Sequence, residues 1–196
     1  RDRIMSVKFG GLDVALRVDN TALVVLKLED GVLEQVGQKV WPHMSLDKVA
    51  DDVLKIQQLE RMKAIGYDRL GIGDGAKQLF SKEIPLRDII SSQTNKLAMI
   101  GLVKGLFNQE KLIVHDKDLF REILEQERKI SDAGNVLYQH PTGFHDDRFW
   151  ALCYACSVAS YSLAGIPRPT VAKMSNRRVP LDVLIDQEIE KQLKGI

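Results

Sequence analysis

The hydrophobic pattern at the start of the chain predicts three strands joined by short turns. Apolar runs cover residues 5–17, 21–28 and 32–41, and short polar or glycine-containing stretches separate them. Turns this short join neighbouring antiparallel strands. Because Pro42 ends the third run, we expect an antiparallel three-strand meander, with a kink or bulge in the first strand at Gly10–Gly11.

A helical pattern follows the meander. Residues 45–65 carry apolar side chains at helical spacing between Ser45 and Gly66, which predicts one long helix. A strand over 67–72 comes next, and because a strand, a helix and a strand form a crossover, we expect it to be parallel to the first strand. Shorter elements are predicted further along: helices near 75–82, 95–108, 118–129 and 181–194, strands at 87–91, 111–115 and 136–139, and a long late helix ending near Leu163.

The late helix begins at two adjacent acids, Asp146 and Asp147, and is apolar on most sides. Such a pair is most often only a cap that the helix dipole favours. Here the apolar helix carries both carboxylates to the edge of a core, where they repel and are poorly solvated. A divalent cation would relieve that cost. Asp13 in the first strand and Asp74 at the carboxyl end of the fourth are the acids that a fold could bring to the same place.

Composition and charge narrow the possible functions. The chain has 196 residues, enough for one domain, and its net charge of +1 argues against binding a polyanion by bulk charge. The absence of a signal-like start or a long apolar run favours a soluble intracellular protein, and the start without Met suggests a domain of a longer polypeptide. Cys153 and Cys156 lie inside the late helix without a second pair, so we expect buried, reduced thiols.

The order of elements and the placement of acids resemble a known family, the nuclease domain of the large terminase subunit of tailed viruses, which has a ribonuclease H-like fold. The resemblance implies an α/β fold whose mixed sheet combines the antiparallel meander with parallel strands and is flanked by helices. It implies one domain over residues 1–196, with a core at 5–163 and a basic arm and C-terminal helix at 164–196. It rests on a G-x-D-x-A strand with Gly11, Asp13 and Ala15, on Asp19 before the next strand, on the G-x-G-D-G turn with Asp74, and on HDD at 145–147.

The resemblance implies an endonuclease that uses two divalent cations, Mg²⁺ or Mn²⁺, to cut double-stranded DNA with little sequence preference. Hard cations prefer oxygen ligands, which suits carboxylates. The implied catalytic metal ligands are Asp13, Asp74 and Asp147, with Asp146 as an additional or alternative ligand and Asp19 and His145 as supporting neighbours. Candidate phosphate contacts are Lys96, Lys104, Arg168, Lys173, Arg177 and Arg178.

The implied partners are double-stranded DNA, an amino-terminal ATPase domain in the full-length chain, the small terminase subunit and the portal, with no membrane. The implied location is the cytoplasm of the infected host cell. Two alternatives stay open at this point. One is another nuclease of the same fold, such as a junction resolvase or an RNA/DNA hybrid nuclease. The other is a non-catalytic DNA-binding or docking module that has kept the fold.

Overall fold

A computed structural model describes residues 6–14, 20–70, 77–130, 136–139 and 145–162. The strands in these ranges are β1 (Val7–Asp13), β2 (Thr21–Glu29), β3 (Val32–Trp41), β4 (Ala64–Asp68), β5 (Leu86–Ile89), β6 (Leu112–Ile113), β7 (Glu127–Ile130) and β8 (Val136–Gln139). The helices are α1 (Leu46–Glu60), α2 (Gln93–Asn108), α3 (Lys117–Leu124) and α4 (Asp147–Ser162). The predicted C-terminal helix and basic arm lie outside the described residues.

The main sheet has the strand order β5-β4-β1-β2-β3-β6. Strands β1, β2 and β3 are antiparallel neighbours, as the short turns between them require. Strand β4 is parallel to β1, β5 is parallel to β4, and β6 is parallel to β3. The predicted mixed sheet, in which a meander is extended by parallel strands, is therefore confirmed.

The boundary between α1 and β4 differs from the prediction. The helix ends at Glu60 because Arg61 adopts a left-handed conformation with a φ of 51°, and its N–H donates to the carbonyl of Gln57. Gly66, predicted to end the helix, lies inside β4 instead. The prediction of a strand at 67–72 is wrong because the apolar residues of β4 continue the helical spacing of α1, so periodicity alone could not separate them.

The predicted kink at Gly10–Gly11 is also wrong. Strand β1 pairs with β2 in an unbroken register, and the irregularity in the meander lies between β2 and β3, near Val25. A Cβ atom on Gly11 would lie 1.8 Å from the backbone oxygen of Ala151 in α4. Glycine is therefore required at this point because α4 packs directly against the backbone of β1.

Two helix predictions fail in the middle of the chain. Helix α3 ends at Leu124, and residues 127–129, predicted as the end of that helix, belong to β7, which pairs with β8 in a separate two-stranded sheet. The side chains of β7 are exposed, so no buried face is present to favour a helix there. Of the predicted helix at 75–82, only residues 77–82 are described, and they consist mostly of turns.

Both faces of the main sheet are covered, and the two coverings have different sizes. On one face, α4 packs with α2 and α3 in what we call the α4 layer, and on the other α1 forms the α1 layer. Nearly every residue of α4 from Phe149 to Ser160 is buried, including the free thiols of Cys153 and Cys156, as predicted. No helix among the described residues is long and apolar enough to cross a membrane.

Candidate functional site

Two parallel strands end in aspartates that lie side by side. Asp13 is the last residue of β1 and Asp68 the last of β4, and the β1–β4 register pairs the residues immediately before them. Gly11 and Gly66, two positions earlier on each strand, both face the backbone of α4. Because side chains alternate between the faces of a sheet, Asp13 and Asp68 also lie on the face covered by α4.

The start of α4 brings two further carboxylates to this end of the sheet. Asp146 precedes the helix, and its carbonyl accepts the N–H of Trp150 at 3.0 Å. Asp147 is buried, with 7% of its surface exposed. Its Oδ2 accepts a hydrogen bond from Nδ2 of Asn20 at 3.4 Å and lies 3.8 Å from Nδ1 of His145. We call Asp13, Asp68, Asp146 and Asp147 the acidic site.

The acidic site concentrates negative charge around Asp13. Asp13 keeps some solvent-accessible surface, but protein packs closely around its carboxylate, and this burial raises its pKa well above the usual value. The charges of Asp147, Asp146 and Asp68 raise that pKa further, and the charge of Lys96 acts in the opposite direction. Ionising Asp13 therefore costs free energy in the folded protein, and a nearby cation would reduce that cost.

Asp68 belongs to this site although its sequence environment did not single it out. Its Oδ1 accepts the backbone N–H of Leu70 at 3.0 Å, and its Oδ2 accepts a hydrogen bond from the hydroxyl of Ser91. A usable signal was present, because Asp68 directly follows the apolar residues of a strand parallel to the first. Asp74 was predicted at that strand end, but it lies outside the described residues and its role stays a prediction.

Neutral and cationic groups line the same region. The pKa of the Tyr154 phenol is raised by burial and then by the charges of Asp13 and Asp68, so this side chain stays neutral beside the acids. The ammonium of Lys96 lies 4.5 Å from the centre of the Trp150 ring. The indole N–H of Trp150 donates to Oδ2 of Asp146 at 2.8 Å.

A buried ion pair fixes the start of α4 against α3. Glu122 of α3 is buried, and its carboxylate accepts hydrogen bonds from the guanidinium of Arg148 and from the backbone N–H of Phe149 at 3.0 Å. Burial raises the pKa of Glu122, although Arg148 and the Phe149 N–H act to lower it. Because Asp147 immediately precedes these anchored residues, the ion pair also fixes its backbone.

The predicted site residues fall into three groups. Asp13, Asp146, Asp147 and His145 lie in the same region of the structure, with Lys96 beside them. Lys104 lies two helical turns further along α2, roughly 12 Å away from Lys96 along the helix axis. The predicted roles of Asp19, Asp74, Arg168, Lys173, Arg177 and Arg178 fall on residues outside the described ranges and stay predictions.

The donor set of the acidic site matches a hard divalent cation in chemistry. All four side chains are carboxylates, the ligands that Mg²⁺ and Mn²⁺ prefer. The pKa of Asp13 is raised first by burial and then by the neighbouring acids, and a bound cation would favour its ionised form. Within the described ranges, however, no three His, Cys, Asp or Glu side chains are close enough to enclose one ion. The site therefore offers suitable ligands, which would have to draw together around a cation.

Solved structures share this fold. The large terminase nuclease from thermophilic phage G20c has a TM-score of 0.69 at 17% identity, over 78% of this chain and 82% of that one. Structures of that nuclease with bound magnesium, cobalt and zinc are also similar. The nuclease domain of the Thermus phage P74-26 large terminase has a TM-score of 0.68 at 18% identity, over 78% of this chain and 79% of that one.

A longer relative shows how much of a terminase is matched. The HK97 bacteriophage large terminase has a TM-score of 0.64 at 17% identity, and 78% of this chain covers 39% of it. A search of curated protein sequences finds no match. The family model described as the terminase RNaseH-like domain matches residues 10–158, which is most of the chain. The chain therefore belongs to the terminase RNaseH-like domain family.

Proposed function

We propose that this chain is the nuclease part of a viral DNA-packaging terminase, a metal-dependent endonuclease that hydrolyses double-stranded DNA with little sequence preference. The observation that carries the proposal is the meeting of Asp13, Asp68, Asp146 and Asp147 at one end of the sheet in a chain of this family. The solved relatives with bound magnesium, cobalt or zinc support the use of a divalent cation.

The acidic site would hold two Mg²⁺ or Mn²⁺ ions, and Asp74 is proposed as a further ligand. When bound, such cations stabilise charge on the attacking and leaving oxygens of phosphodiester hydrolysis. In that reaction a water oxygen bonds to phosphorus, the bond to the 3′ oxygen breaks, and the 3′ oxygen gains a proton. No covalent enzyme intermediate is required.

The surrounding residues hold the carboxylates in place for this task. Asn20 and His145 contact one oxygen of Asp147, which restricts the rotation of its carboxylate. Ser91 and the backbone of Leu70 do the same for Asp68. The phenol of Tyr154, whose pKa is raised by burial and by the charges of Asp13 and Asp68, stays neutral and adds no charge to the site.

The proposed partners follow from the family. Double-stranded DNA is the substrate, and the HK97 large terminase, of which 39% is matched, supports an additional ATPase domain in the complete protein. The small terminase subunit and the portal are proposed as further partners, and the host cytoplasm as the place of action. The basic arm and C-terminal helix at 164–196 are proposed as a DNA-contacting extension of a single nuclease domain.

The test is cleavage of supercoiled plasmid with Mg²⁺ or Mn²⁺ by the wild type and by Asp13→Asn, Asp68→Asn, Asp74→Asn and Asp147→Asn. Loss of a direct ligand is expected to reduce cleavage more than about 100-fold, since even the outer partners of metal ligands cost about 10–100-fold. Asp88→Asn is the matched control. Asp88 lies on β5 in register with Tyr67, on the face of the sheet away from α4, and its carboxylate accepts a hydrogen bond from the Tyr67 hydroxyl at 2.6 Å.

Each outcome has a distinct meaning. Loss of cleavage in Asp68→Asn but not in Asp74→Asn assigns the strand-end ligand to Asp68, and the reverse result assigns it to Asp74. A folded wild type that fails to cut with every divalent cation tested contradicts the proposal and supports the non-catalytic alternative. Preference for a four-way junction or an RNA/DNA hybrid over plasmid supports a different nuclease specificity.

A further inference from the structure

Trp150 makes two directional contacts at the acidic site. Its indole N–H donates to Oδ2 of Asp146 at 2.8 Å, one helical turn earlier, and its ring lies beneath the ammonium of Lys96 at 4.5 Å. The side chain is 7% exposed. One aromatic residue therefore contacts both a carboxylate of the site and the ammonium of Lys96.

The Trp150 ring is itself held in position by its neighbours. Phe149 makes an edge contact with it at 5.3 Å between ring centres, and Tyr154 lies 6.4 Å away on the next turn of α4. The cation over its face adds a further attraction. Because the ring cannot turn without losing these contacts, its N–H points in a fixed direction.

A hydrogen bond to one carboxylate oxygen also sets the direction of the other. Asp146 precedes the first turn of α4 and has a short side chain, so the hydrogen bond from Trp150 restricts its rotation. Outer partners of this kind orient metal ligands and typically change metal affinity about 10–100-fold when they are removed. The geometry at Trp150 is that of such a partner.

We propose that Trp150 is a positioning residue that holds the Asp146 carboxylate in the orientation needed to bind a divalent cation. This inference rests on the proposed function, because it requires that the acidic site binds a cation. It assigns Trp150 a role beyond packing in the core. It also distinguishes Asp146, whose orientation depends on the indole, from Asp147, which contacts Asn20 and His145.

The chain contains a matched control for this role. Trp41, the only other tryptophan, is 1% exposed and donates its indole N–H to Oδ2 of Asp52 at 3.0 Å. This pair lies in the α1 layer, on the opposite face of the sheet. Trp41→Phe and Trp150→Phe therefore remove the same type of hydrogen bond, once away from the acidic site and once within it.

The experiment is calorimetric titration of the whole 196-residue chain with Mn²⁺ for the wild type, Trp150→Phe, Trp41→Phe, Asp146→Ala and the Trp150→Phe/Asp146→Ala double variant. We expect Trp150→Phe to weaken Mn²⁺ binding about 10-fold, and Trp41→Phe to leave it unchanged. In the Asp146→Ala background, Trp150→Phe should cause no further loss, because a residue that acts through Asp146 cannot act after its removal.

Tryptophan fluorescence gives a second measurement, since Trp150→Phe and Trp41→Phe each leave one of the two tryptophans. Mn²⁺ should quench the emission of Trp41→Phe, whose remaining indole is at the site, and not that of Trp150→Phe. Equal Mn²⁺ affinity of the wild type and Trp150→Phe, or equal losses in both backgrounds, overturns the positioning role while leaving the proposed function intact. A wild type that binds no Mn²⁺ overturns both.

Discussion

The two layers that cover the sheet differ in how far their charged side chains are buried. In the α1 layer, ion pairs such as Lys8 with Glu60, 2.6 Å apart, keep about a third of each side chain exposed. In the α4 layer, by contrast, the carboxylates of Asp13, Glu122 and Asp147 enter the covered part of the fold. Buried charge is costly unless it is paired, so its concentration at one end of one layer separates a functional region from a supporting one.

Two aspartates, Asp52 in the α1 layer and Asp13 at the acidic site, show the same difference on a smaller scale. The pKa of Asp52 is lowered, first by the hydrogen bond from Trp41 and then by that from Lys55, so its ionised form is favoured by folding. At the acidic site the pKa of Asp13 is raised, so its ionised form is opposed by folding. An ionised aspartate therefore stabilises the folded protein in the α1 layer and destabilises it at the acidic site.

The largest predicted effect on stability is at the buried ion pair. Glu122→Ala leaves the Arg148 guanidinium without this carboxylate and also removes the acceptor of the Phe149 N–H, which should cost about 3–5 kcal/mol. Glu60→Ala is the control in the α1 layer and should cost less than about 1 kcal/mol. Urea unfolding at neutral pH measures both. Similar losses for the two variants would contradict the distinction between the layers.

Glycines in the two regions should also respond differently. Gly11→Ala places a Cβ atom where backbone atoms of Ala151 and Ala155 lie, at 1.8 and 2.4 Å, and the separation of β1 from α4 should cost about 1–3 kcal/mol. A Cβ on Gly37 would meet nothing closer than 3.7 Å, so Gly37→Ala should stay within about 0.5 kcal/mol of the wild type. Thermal unfolding tests this, and a well-tolerated Gly11→Ala would contradict the close packing.

Neutralising Asp13 should stabilise the protein while removing activity. In a metal chelator, Asp13→Asn should melt at a higher temperature than the wild type at neutral pH, because it carries no opposed charge. The raised pKa of Asp13 means that the folded state binds more protons than the unfolded state, so the wild type loses stability as pH rises above about 4. The advantage of Asp13→Asn should therefore shrink as the pH falls towards that value.

Asp52→Asn should change the pH dependence of stability in the opposite direction from Asp13→Asn. Because the pKa of Asp52 is lowered in the folded state, the wild type gains stability above the ordinary aspartate pKa and loses it in acid. The variant should be less stable than the wild type at neutral pH and equal to it in acid. Melting curves of both variants across this pH range give the comparison, and parallel pH dependences would show that the two environments are alike.

The smallest predicted effect concerns Lys96. If this ammonium faces a DNA phosphate during binding, Lys96→Gln should reduce the salt dependence of double-stranded DNA affinity by about one unit of slope. Lys55→Gln removes an equal charge from the α1 layer, where the side chain is 71% exposed, and should leave the slope unchanged. DNA-binding titrations at several salt concentrations measure the slope. An unchanged slope in Lys96→Gln would show that Lys96 does not contact a DNA phosphate.

Much of the fold was accessible from local patterns. The meander over β1, β2 and β3 followed from three apolar runs and short turns, and the parallel β4 followed from the crossover through α1. Boundaries failed where two elements shared one apolar pattern, as at Gly66, or where pairing with the next strand overrode helical spacing, as at residues 127–129. Such failures are expected because the spacing of apolar residues within one segment does not show whether that segment will pair with another strand.

The acidic site, like the fold, could be predicted only in part from the sequence. The sequence by itself determined that acids stand at a strand end and at the start of an apolar helix, since Asp13, Asp146 and Asp147 are recognisable from their neighbours along the chain. Only the tertiary structure decided that Asp68 joins them and that Trp150 holds Asp146. The physical reason is that register and helix packing determine which side chains meet, and both depend on contacts between residues far apart in the sequence.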